Sequence, residues 1–312
     1  MKLGLLSSVS GAAMLAAMSP AMAGNGFSGV AQVNGSFGTT DQSSFFASDG
    51  SLDDPQSYGI KAKGLWTLSP DLHFQADLFY ENLDNSVVST WSSHESASTV
   101  GGAIHLLHPF ESRARLGAAG SIWSNEAFVP ANDGRSDITY GLAAVEGQFF
   151  GTDYTVTGQA GVFSAFECSG ICPGSVDSGS YLRGKIRYFL HDNTSLSLET
   201  TQMWGKLNSD DDIFSGKSVN TNYAQWVLEA EHRFEGSPFS GTLAVAHERT
   251  EHDFFGASAD TSSVQIGLKY YLDQPTLKSH DRTGAELDTP QFGNVLETSG
   301  ALAFGEVPDV PE

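Results

Sequence analysis

The chain is poor in positive charge: 16 Lys and Arg stand against 37 Asp and Glu, a net charge of -21. That balance excludes a basic nucleic-acid surface or a polybasic patch for anionic lipid, and no nucleic-acid partner is expected. Cysteine is scarcer still. Only Cys168 and Cys172 occur, close together in ECSGICPG, which excludes a disulfide-dense scaffold and, in an exported chain, reads as a local disulfide pinning one loop. A metal site is the alternative, but no His or second Cys pair lies nearby in sequence. The sequence has no H-E-x-x-H, no C-x-x-C, no phosphate-binding loop and no G-x-S-x-G elbow, so no metal, no cofactor and no catalytic residue is expected. After the N-terminus it also lacks any run of about 20 apolar residues, the length a membrane-spanning helix needs.

The N-terminus reads as an export signal. Lys2 precedes an apolar stretch from Leu3 to Met18, and Pro20 is followed by Ala21-Met22-Ala23, an A-x-A cleavage pattern. Residues 1–23 are therefore assigned to a signal peptide and kept out of the fold.

What the chain has in abundance is period-two alternation. In DLHFQADLFYEN, Leu72, Phe74, Ala76, Leu78 and Tyr80 fall on one face, and His73, Gln75, Asp77 and Glu81 on the other, with Phe79 the exception. This is a strand with one apolar and one polar face. Twelve such segments recur, near 26–37, 57–68, 72–82, 97–108, 113–124, 138–149, 154–164, 180–190, 194–205, 221–234, 239–249 and 261–272. Most are longer than the 5–6 residues usual in soluble proteins and match the 9–11 that a tilted strand needs to cross a bilayer. Links alternate between tight turns (SPD, HPFES, FGTD, HDN and EGSP) and longer polar loops.

Pairing across the tight turns sets Trp66 opposite Phe74 and Lys63 opposite Asp77. It also sets Ile104 opposite Leu116 with His105 opposite Arg115, and Lys185 opposite Glu199 with Ile186 opposite Leu198. Apolar then meets apolar in each hairpin, which a one-residue slip would forbid. Aromatics near segment ends (Tyr58, Tyr80, Trp123, Tyr140, Tyr154, Tyr188, Trp204, Tyr223, Phe234 and Phe239) suit two interfacial girdles.

On these features residues 24–272 resemble the bacterial outer-membrane β-barrel proteins of the porin-like superfamily. The last segment, SSVQIGLKYYL, carries Gln265-x-Gly267-x-x-Tyr270-x-Leu272, similar to the terminal-strand signal read by that superfamily's barrel assembly machinery. The fold expected is an all-β, transmembrane, up-and-down antiparallel β-barrel of about 12 strands. The resemblance implies an outer-membrane location with periplasmic termini, and contact with outer-membrane lipid and lipopolysaccharide. A soluble β-sandwich is the alternative.

With the polar face inward, the candidate lumen residues are Lys61, Lys63, Asp77, Arg113, Arg115, Glu146, Arg183, Lys185, Arg187, Glu199, Glu229 and Glu231. YLRGKIRYF places Arg183, Lys185 and Arg187 as a ladder on one strand. Either this ladder faces an acidic sector across open water and tunes selectivity, or the charges pair locally and fill the bore.

The function the resemblance implies is a passive diffusion channel for small hydrophilic or ionic solutes. A plugged barrel with a structural or surface-binding role is the alternative, and a lipid-modifying enzyme a more remote one. His73 and Asp77 share a face without a serine aimed at them, and His247 stands alone on the apolar parity near the outer end. Residues 273–312 lose the alternation and read as an acidic, disordered periplasmic tail, placed to touch the cell wall or to enter the bore from below.

Overall fold

The computed structural model describes residues 26–43, 50–86, 95–111, 113–129, 134–169, 176–207, 219–253, 258–272, 275–290 and 292. Twelve strands follow in chain order: β1 (Phe27–Ser43), β2 (Gly50–Ser69), β3 (Leu72–Ser86), β4 (Glu95–Phe110), β5 (Ala114–Val129), β6 (Gly134–Phe150), β7 (Tyr154–Ser169), β8 (Val176–His191), β9 (Thr194–Leu207), β10 (Val219–Arg233), β11 (Phe239–His252) and β12 (Ser258–Tyr271). Each pairs antiparallel with its sequence neighbours, and β12 returns to β1 to close the barrel. Closure leaves no edge strand, the condition for a sheet to sit in hydrocarbon. The one described helix, α1 (Leu277–Thr283), has seven residues, and no described helix is long and apolar enough to cross a membrane.

The strands outrun their alternation. β2 has 20 residues and β1 has 17, against about 12 expected. Hydrogen bonding continues beyond the stretch where one face must be apolar, so the polar loops are shorter than the pattern suggests. Trp66 does face Phe74, Lys63 faces Asp77, and Lys185 faces Glu199. The β4–β5 hairpin is a correction: Ile104 lies opposite Gly120 and Leu116 opposite His108. β4 continues through Pro109 to Phe110, and the turn tightens around Glu111, whose φ is 45°. The offset is an even number of residues, so Ile104 and Leu116 still face outward and His105 and Arg115 inward.

Apolar side chains cover the exterior. Leu78, Val145 and Phe166 are 67%, 66% and 70% exposed, a pattern that suits lipid rather than water. Tyr58, Tyr154, Tyr188, Trp204, Phe234 and Phe239 are exposed as expected of girdle residues. Trp123, Tyr140 and Tyr223 are corrections: they point inward and join Phe79, Leu142, Phe163, Tyr181 and Met203 in a buried cluster. On β6 both faces are apolar between Ile138 and Val145, so alternation could not tell which face held the larger rings.

Candidate functional site

The chain does not stop at the end of β12. Residues 273–312 read as a disordered tail, yet residues 275–290 and 292 run in order from the short-turn end into the bore; the remainder lies outside the described residues. Thr276 starts α1 with a reciprocal capping box to Ser279. A seven-residue helix is not stable alone, and here the barrel mouth holds it. Leu277 N–H donates to Asn193 Oδ1, and Lys278 N–H donates to the Asp192 carbonyl. Lys278 Nζ reaches Asp153 at 2.8 Å, and Arg282 donates to the carbonyls of Gly151 and Thr152. Leu277 packs with Val30, Phe189 and Tyr271. At Gly284 the chain turns up the bore so close to His280 and Ser28 that a Cβ would meet atoms of both at 2.6 Å.

Inside the mouth, buried charges meet buried charges. Arg187 Nη1 lies 3.0 Å from Asp281 and 2.8 Å from Glu286, with Glu231 3.6 Å from its other nitrogen. Glu231 also takes Lys269 at 2.8 Å, the Ser240 hydroxyl and the Tyr271 hydroxyl. Arg115 donates to the carbonyls of Asp281, Arg282 and Gly284, reading the segment's backbone rather than its charge. Such burial is sustainable only because each ion is paired and hydrogen-bonded. Burial by itself would raise the Glu286 carboxyl, but Arg187, His280, Lys269 and Lys63 outweigh it and hold the group down to about 2.

Higher up, Ala285 and Leu287 pack on Leu65 and Leu107. Gln75 donates to the Leu287 carbonyl and to Asp77. Asp77 and Glu146 hold His105 between them at 3.3 and 2.8 Å, and Gln159 closes the network on Glu146. Asp288 follows. Its carboxylate lies 2.6 Å from Lys63, 3.1 Å from Lys61 and 3.9 Å from Arg183, and its carbonyl accepts from Arg183 at 2.7 Å. Burial alone would raise this carboxyl; Lys61, Lys63, Arg183 and Lys185 hold it well below the usual range instead. Phe292 then enters the aromatic cluster, its ring 5.3 Å from Phe163 and 5.4 Å from Tyr181.

Beside Asp288 a cavity of about 200 Å³ remains, lined by Lys61, Lys63, Arg183, Lys185, Glu199, Glu229 and Phe292, with Glu81 and Glu248 on the side toward the long loops. Of the twelve lumen residues expected from sequence, the structure brings eleven into the bore around the docked segment, all but Arg113. Glu199 pairs with Arg183 at 2.7 Å and Lys185 at 3.6 Å, and Glu229 lies 3.6 Å from Lys269. Lys63 and Asp77 face each other in register but part company, one to Asp288 and the other to His105. Glu146 belongs to the His105 network, and Arg113 sits exposed in the turn before β5. The basic ladder is thus met by nearby carboxylates of β9, β10 and the C-terminal segment.

Sequence reasoning missed His105, Asp281, Glu286, Asp288 and Phe292. The signal available was the spacing of Leu277, Leu287 and Phe292 among the tail's acids, more apolar than a solvated tail requires. His247 lies on the exterior, 3.1 Å from the Ser262 hydroxyl and 3.8 Å from Asp260. His247 on β11 and Ser262 on β12 are direct register partners on neighbouring strands. Cys172 and the signal peptide fall outside the described residues, as does the loop disulfide.

No protein-family model and no curated protein sequence matches the chain. Solved structures do. An outer membrane channel from Pseudomonas putida F1 superposes with a TM-score of 0.56 at 12% identity, over 78% of this chain and 95% of that one. This is the fold of the bacterial outer-membrane β-barrel proteins. The translocator domain of the autotransporter NalP from Neisseria meningitidis is similar at a TM-score of 0.46 and 14% identity, over 85% of this chain and 97% of that one. The toluene transporter TodX of P. putida gives 0.43 at 9% identity, over 80% and 90%.

Proposed function

We propose that this chain is an outer-membrane channel for small solutes whose bore is occupied by its own C-terminal segment. The observation that carries the reading is the charged cavity of about 200 Å³ inside a closed barrel, bounded by a segment held through its side chains and carbonyls. The N-terminal export signal, the apolar exterior and the exposed aromatics support the outer membrane as the location. Short turns then lie in the periplasm with longer loops outside, and α1 sits at the periplasmic mouth. The terminal-strand pattern Gln265, Gly267, Tyr270 and Leu272 would be read by the assembly machinery, in keeping with the role of β12 in closing the barrel on β1. Passive diffusion of hydrophilic or ionic solutes, in this reading, requires the segment to withdraw at least in part.

A protease site inserted at 273–274 and cut after folding would release the segment without asking the barrel to fold in its absence. In planar bilayers the intact chain should conduct little and the cleaved, washed chain clearly more. Absence of current in both forms would sink the channel and leave the plugged structural barrel, which the burial of Leu277, Leu287 and Phe292 favours.

A further inference from the structure

We infer that the middle of the bore is a binding site for a small carboxylate bearing an aromatic ring, and that Asp288 and Phe292 occupy its two halves as an intrachain stand-in. The inference rests on the channel reading and names the class of solute.

The first half is a cation cradle. Lys61 and Lys63 project from β2, and Arg183 and Lys185 from β8. Among the described residues, only Asp288 and Glu199 lie within ion-pair distance of these four cations. Glu199 belongs to the wall and serves Arg183 and Lys185 alone. Withdraw Asp288, and four cations keep one carboxylate at ion-pair distance, Glu199; the wall carboxylate next nearest the lysines is Glu81, diagonal to Lys61 across β2 and β3 and lining the same cavity. A desolvated cation excess of that kind selects an anion, and the species now seated there is a carboxylate. The low position of the Asp288 carboxyl fits this geometry.

The second half is aromatic. Tyr181 precedes Arg183 by two residues on the same inward face of β8, about 7 Å along the strand. Its ring and that of Phe163 receive Phe292. An aromatic slot and a cation cradle thus adjoin on one strand, joined by Tyr181 and Arg183. The empty cavity is lined by all four cations and by Phe292 itself, so a solute can reach the cradle while the segment is docked and the aromatic slot once Phe292 leaves it. Two other cations of the bore are committed differently: Arg187 and Lys269 keep Glu231 whether or not the segment is present.

The test is calorimetric titration of the folded full-length protein with benzoate, with acetate and benzyl alcohol as the two half-ligands. Asp288→Asn keeps the size of the side chain and removes its charge. It should bind benzoate about tenfold more tightly than the wild type, because the neutral side chain no longer holds the segment on the cations by ion pairing. Phe292→Ala should move affinity the same way through the other half. Adding Lys61→Gln and Lys63→Gln to Asp288→Asn should abolish binding, with circular dichroism confirming the barrel. Unchanged affinity in both single variants, or acetate or benzyl alcohol binding as well as benzoate, would overturn the two-part site. Conductance of the Asp288→Asn protein separates the two readings. Current without benzoate affinity overturns this inference and leaves the channel standing, whereas affinity without current at any stage removes the channel and keeps the site.

Discussion

The mouth of the bore and its middle both join C-terminal carboxylates to wall cations, but they are built differently. At the mouth, Arg187 is shared by the buried Asp281 and Glu231 and by Glu286, whose side chain is 10% exposed. In the middle, one carboxylate is shared by cations from two strands on opposite sides of the barrel, beside open space. Excess acid around one buried arginine makes a lock, because neither side can be removed without stranding charge. Excess base around one carboxylate makes a site, because that carboxylate can be exchanged for another.

Breaking the lock should have the largest effect. Arg187→Met strands buried Asp281 and takes a cation from Glu286 and Glu231, and should cost about 3–5 kcal/mol, read as a lower denaturant midpoint together with faster hydrogen exchange across 277–292. Phe292→Ala removes the aromatic anchor of the middle and should weaken docking by about 3 kcal/mol. Its exchange should rise around 285–292 while α1 stays protected, and uniform loss of protection would erase the distinction between mouth and middle.

Acid should act next. Glu286 and Asp288 have folded values below their unfolded ones, so their contribution is complete above the unfolded range of about 4. It is lost as pH falls through the folded values, for Glu286 about 2. On this account docking should be insensitive to these two groups above about pH 5 and weaken progressively below about pH 4, measured by exchange of the same segment; the opposite sign would mean that the cations do not hold them. The smallest change is expected from Lys278→Ala, whose partners Asp153 and Asp192 are largely exposed. It should shift the unfolding midpoint by about 0–1 kcal/mol.

The barrel wall was legible residue by residue. Leu72 to Leu78 announced a strand, and Lys185 opposite Glu199 announced its neighbour, because pairing across a two-residue turn is local. Phe79 stood out as an exception in sequence and proves to be a member of the inward aromatic cluster. The β4–β5 register was not legible, since alternation fixes only its parity and the turn at Glu111 chose among even offsets. The site itself was half legible. Lys61, Lys63, Arg183 and Lys185 were visible as inward cations, but their chief partner lies 105 residues beyond Arg183 in the chain.

By itself the sequence determined strand number, inward and outward faces and the order of turns and loops, because each follows from a period of two and from neighbours along the chain. Only the tertiary structure decided what fills the bore. A segment of Leu277, Asp281, Glu286, Asp288 and Phe292 carries no period of its own. It acquires order when a closed ring of strands presents a cation to each acid and an aromatic slot to the ring.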